Sequence, residues 1–117
     1  CDDAMGEKTM GKVWQKYGYV CDPHTAAGWA AAENYVKKTG DKRPMVILST
    51  ASPYKFPAAV LEALHGDMSG DEFQQMERLE AVTGVKIPEN LSGLQQKKEL
   101  HTGVIEKTAM LDFVMGL

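Results

Sequence analysis

The sequence predicts an α/β chain, mostly helical, with one strand buried on both faces. Three observations carry that prediction. Apolar residues recur at three- and four-residue steps in several segments. Each such segment is bracketed by helix start and stop residues. A single uninterrupted apolar run, Met45-Val46-Ile47-Leu48, lies between turn signals.

In chain order, Asp2 and Asp3 place negative charge where a helix dipole favours it. Met10, Val13, Trp14 and Tyr17 then form one apolar face, with Gly18 as the stop and Gly6 and Gly11 as weak points. Asp22-Pro23 opens a second helix, with an acceptor at the cap and proline at the first helical position. This helix runs through five alanines between Ala26 and Ala32 to about Lys38, and Gly40 ends it. Lys42-Arg43-Pro44 leads into the apolar run at 45–48, the predicted strand, which ends in Ser49-Thr50-Ala51-Ser52-Pro53. A third helix is expected from about Pro57 to Leu64, closed by Gly66. Ser69-x-x-Glu72 reads as a capping box for a fourth, with Phe73, Met76, Leu79 and Val82 on one face and Gly84 as its end. Pro88 makes residues 85–94 irregular, and Val104, Thr108, Leu111 and Val114 fall near helical spacing in the tail.

A lone buried strand leaves its backbone groups without partners. The chain is therefore expected to be a single incomplete domain over residues 1–117, whose missing strands come from elsewhere. The absence of an initial Met points the same way. An unpaired strand also invites pairing, so self-association is expected.

Composition is that of an ordinary globular protein, with 44% apolar and 25% charged residues among 117. A net charge of −3 offers no basic footprint for nucleic acid or an anionic membrane. No apolar run approaches the roughly 20 residues of a membrane span, and no signal peptide opens the chain. Cys1 and Cys21 are read as reduced thiols of a cytosolic protein, although a bridge between them is open. With three scattered histidines they match no metal-ligand spacing.

Two segments hold residues suited to chemistry. The hydroxyls of Ser49, Thr50 and Ser52 follow the predicted strand, where ligands meet open α/β sheets; they also suit turns and caps. Asp22 reads first as a helix cap. His24, in the first helical turn, is open to three readings: base, ligand or surface residue.

Taken together, Gly18-Tyr19-x-x-Asp22-Pro23-His24-Thr25-Ala26 and Ser49-Thr50-Ala51-Ser52-Pro53-Tyr54-Lys55-Phe56 resemble the carboxy-terminal part of the threonine synthases. Thr83-Gly84-Val85-Lys86-Ile87-Pro88 and Leu91-x-x-Leu94 are similar to that family as well. The resemblance implies a larger three-layer domain of the fold-type-II class, with pyridoxal phosphate as cofactor. It implies conversion of O-phosphohomoserine and water to threonine and phosphate. Thr50 matches the hydroxyl that meets the cofactor's pyridine nitrogen, with Ser49 beside it. Asp22 and His24 match an acidic-Pro-His motif near the active site. Ser52 departs from the pattern, which has His there in many relatives. Lys55 matches a motif lysine and is open to two readings, a contact to substrate phosphate or a solvated helix start.

The lysine that carries the cofactor lies far upstream in the family, as does its glycine-rich phosphate cradle. None of the lysines here stands in that motif, so the chain alone is expected to bind cofactor weakly and to be inactive. The remaining readings are a dehydratase or lyase of the same fold type, and a stand-alone binding module that uses the Phe73–Val82 face.

Overall fold

Local start and stop chemistry sets the helices. In the computed structural model, which describes residues 1–116, helix α1 spans Asp3–Tyr17 and Asp2 caps it, its carboxylate accepting from the Met5 N–H at 2.9 Å. Helix α2 spans Pro23–Thr39, capped by Asp22. Helices α3 (Pro57–Ala63), α4 (Glu72–Thr83) and α5 (Met110–Met115) follow. Short 3-10 turns cover Pro53–Lys55, Leu94–Gln96 and Lys107–Ala109. Gly18, Gly40 and Gly84 each end a helix with φ near +70°, a left-handed conformation that costs other residues more.

The capping box of α4 lies two residues later than the sequence suggests. Asp71 accepts from the Gln74 N–H, and the Gln74 side chain accepts from the Asp71 N–H. Ser69 is instead held by Asp67. In the tail, only the last part of the expected helix forms, and Val104 is 95% exposed.

Helix α1 is the centre of the bundle. It packs on α2 along one side and on α3 along the other, and α3 in turn packs on α4. Met10 and Val13 of α1, Ala26 of α2, Val60, Leu61 and Ala63 of α3, and Met76 and Leu79 of α4 share one buried cluster, with Val20, Cys21 and Tyr54 from the connections. Gly11 lets α1 and α3 approach closely, since a Cβ there would stand 2.7 Å from the Ala63 carbonyl oxygen. Lys12 of α1 pairs with Glu33 of α2 at 2.6 Å on the rim of that interface.

The expected strand does not form, and the α/β assignment is overturned: no strand occurs among the described residues. A strand exists only as a member of a ladder, and the described residues hold no partner segment for residues 45–48. Nor is the run buried on both faces. Val46 is 86% and Leu48 75% exposed, while Ile47 rests against α2, its Cγ2 3.4 Å from where a Gly28 Cβ would be. Met45 and Ile47 line an open apolar groove with Trp29, Ala32 and Val36 of α2, about 380 Å³ in volume.

The molecule is correspondingly open. Its radius of gyration is 18.0 Å, against about 13 Å for a compact chain of this length. Its accessible surface is 8909 Å², against roughly 6,300 Å² for a compact monomer of this mass. No helix among the described residues is long and apolar enough to cross a membrane.

Candidate functional site

The two motif segments meet at the start of α2. Asp22 is fully buried there, because its carboxylate closes the helix N-terminus. One oxygen, Oδ1, accepts from the His24 N–H at 2.9 Å and the Thr25 N–H at 3.3 Å. His24 Nδ1 lies 3.2 Å from the same oxygen. The other oxygen, Oδ2, accepts from the Thr25 hydroxyl. Burial opposes the charge more than any single contact favours it. The bonds from Thr25 and His24 together outweigh that cost and hold the carboxyl below its ordinary range.

Ser49 joins this cluster from the 41–52 connection. The Tyr19 hydroxyl lies 3.2 Å and the Thr25 hydroxyl 3.5 Å from Ser49 Oγ. Each hydroxyl has one proton to give. Thr25 gives its proton to Asp22, so Ser49 donates toward Thr25, and Tyr19 donates to Ser49. These are longer contacts than the bonds to Asp22, and they give the hydroxyls one order: Tyr19, Ser49, Thr25, Asp22.

Thr50, next along, is exposed. Ser52 is spent on structure, accepting from the Tyr54 N–H at 3.3 Å as the cap of the turn at Pro53–Lys55. Lys55 is exposed on that turn. The turn is anchored by Tyr54, which is buried and donates its hydroxyl to the Val85 carbonyl beyond α4. Burial pushes the Tyr54 phenol up, keeping it a donor at neutral pH. Phe56 follows, its ring centroid 5.0 Å from that of His24 at 58°. Cys21 is buried beside Asp22, and burial first, then the Asp22 charge, pushes its thiol up to about 11. That makes it a core residue and a poor nucleophile. Cys1 is exposed and unbridged.

The fold thus brings Asp22, His24 and Ser49 into one cluster, with Thr50 directly beside it in sequence. Ser52 and Lys55 sit on the neighbouring turn. Sequence reasoning missed Thr25, Tyr19 and Phe56 as members. Thr25 was legible in principle: three residues after a capping aspartate, its N–H and hydroxyl both face the cap. Tyr19 and Phe56 depend on tertiary placement.

By fold and site, this is a helical lobe that carries a buried, fully bonded carboxylate under a rim of hydroxyls. The chain belongs to the threonine synthase family: the model for its C-terminal part, "Threonine synthase, C-terminal", matches residues 25–114. Ser49, Thr50, Ser52 and Lys55 fall inside that match, and Asp22 and His24 immediately precede it. Over 49 residues, 41% of this chain and 10% of the relative, it is 51% identical to threonine synthase of Saccharomyces cerevisiae. Over 56 residues, 48% of this chain and 12% of the relative, it is 43% identical to threonine synthase of Pseudomonas aeruginosa. The aligned stretches therefore span about a tenth of either relative's length.

Proposed function

We propose that these residues form part of a threonine synthase that converts O-phosphohomoserine and water to threonine and phosphate in the cytoplasm. The family match across residues 25–114 carries this reading. Pyridoxal phosphate, when bound, supplies an electron sink for such chemistry. The residues present suit one edge of that cofactor. Thr50 is exposed, next to a serine held by the hydroxyls of Tyr19 and Thr25. A hydroxyl both donates and accepts, so it serves a ring nitrogen without requiring that the ring be protonated. In this reading Thr50 meets the pyridine nitrogen, and Ser49 steadies the loop from behind.

The lobe supplies a wall of the pocket rather than the whole of it. The remainder of the protein covers the apolar groove beside Met45 and Ile47, and brings the lysine and phosphate cradle. By itself the 117-residue chain binds cofactor weakly, does not turn over substrate, and self-associates through the exposed segment 45–48. Light scattering that shows a clean monomer would count against the last point.

The test uses the complete enzyme with Thr50→Val and Thr50→Ser. Loss of one hydrogen bond corresponds to roughly tenfold, so Thr50→Val is expected to weaken cofactor binding and turnover of O-phosphohomoserine by about that factor, and Thr50→Ser to restore both. Equal behaviour of Thr50→Val and wild type would remove Thr50 from the pocket. Turnover of threonine or serine in place of O-phosphohomoserine would move the whole reading to a dehydratase of the same fold type.

A further inference from the structure

The Asp22 carboxylate is an acceptor on every side, and this has a consequence for His24. An ionised carboxylate has no proton to give, so the group that faces it must donate. His24 Nδ1, 3.2 Å from Asp22 Oδ1, therefore carries the hydrogen between them. A neutral imidazole has a single N–H. With it on Nδ1, the second nitrogen, Nε2, keeps its lone pair. The side chain is 61% exposed, and the Phe56 ring stands beside it, so the imidazole is braced but open to a ligand. Through Oδ2 and the Thr25 hydroxyl, the same carboxylate also reaches Ser49. One buried group thus sets both the imidazole and the hydroxyl loop.

We infer that Asp22 is a positioning residue that holds His24 as the Nδ1–H tautomer, and that His24 Nε2 is a proton acceptor of the site bordered by Ser49 and Thr50. This deepens the function proposed above and rests on it. The attacking water loses one proton as it adds. Nε2 takes that proton, the imidazole becomes imidazolium, and Asp22 balances the new charge. The proton then leaves to solvent, so the histidine returns to its starting state. Besides Asp22, the titratable groups within five residues of His24 or Phe56 in the chain are the Tyr19 phenol, the buried Cys21 thiol, the buried Tyr54 phenol and the Lys55 ammonium.

Two measurements test this. In the chain labelled with nitrogen-15 in its histidine rings, and assigned with His65→Gln and His101→Gln, long-range nitrogen–proton correlation spectra report the His24 tautomer directly. Nδ1–H is expected to predominate in the wild type with the ring neutral in mildly alkaline solution, and Asp22→Asn is expected to shift the ring toward a mixture. A wild-type ring with its proton on Nε2 overturns the inference, whether or not Asp22→Asn folds. In the complete enzyme, His24→Gln is expected to lower kcat/KM at least tenfold and to remove its acid limb, and Asp22→Asn to move that limb. A pH profile unchanged by His24→Gln overturns the role of Nε2. A wild-type enzyme inert toward O-phosphohomoserine would instead sink the preceding reading, while the tautomer would still decide the role of Asp22.

Discussion

The bundle of α1 to α4 and the segment at residues 45–48 are both rich in apolar residues, yet only the bundle is buried. Val13, Leu61 and Leu79 are fully enclosed, whereas Val46 and Leu48 lie open to solvent. The difference is in who supplies the partners. A helix satisfies its own backbone and needs only a packing surface, which its neighbours in this chain provide. An extended run needs hydrogen-bonding neighbours on both sides, and no strand is present among the described residues to supply them. Apolar character marks what is to be covered; chain topology decides whether the cover is at hand.

The largest effect should come from striking both regions with the same substitution. Leu79→Ala is expected to destabilise the chain by about 3 kcal/mol through lost burial and a cavity. Leu48→Ala should fall within about 0.5 kcal/mol, as exposed positions do. Urea denaturation checks both, and equal costs would mean that residues 45–48 are covered in solution.

Asp22→Ala should cost about 2 kcal/mol, because it removes a helix cap and strands the buried Thr25 hydroxyl. The acid limb of stability carries the same information. The folded-state pKa of Asp22 lies below its ordinary 3.8. Its contribution is therefore present above that value and is lost as pH falls through the folded pKa. Asp22→Asn should flatten the stability profile in that acidic window. A wild-type and variant pair with parallel acid limbs would show that the carboxylate is not bonded as described.

Gly11→Ala probes the closest contact in the bundle. The added methyl meets the Ala63 carbonyl at 2.7 Å, and the strain should cost about 1.5 kcal/mol in thermal or urea unfolding. At the small end, His65 follows α3 with φ +57°. His65→Gly should raise stability by about 1 kcal/mol by removing a left-handed side-chain clash. Unchanged stability would place His65 in a different conformation in solution.

Much of the lobe was legible in the residues alone. Helix starts at Asp2 and Asp22 and ends at Gly18, Gly40 and Gly84 are written locally, because caps act over three or four residues. The α4 start was misread by two residues, because Ser69 and Asp71 offer the same capping chemistry and only the folded chain shows Asp67 holding Ser69. The tail kept its helical spacing but found no packing surface, so only Met110–Met115 coiled into α5.

By itself, then, the sequence determined the family to which the chain belongs, the order of its helices and the residues able to carry chemistry. Those properties reside in short motifs and local backbone preferences. Only the tertiary structure decided that 45–48 stays unpaired, that Thr25 connects Ser49 to Asp22 while Tyr19 meets Ser49 from the other side, and that Phe56 stands beside His24. Such pairings join residues about 24 to 32 positions apart, and which distant groups meet is settled by how helices pack, not by any pattern within one segment.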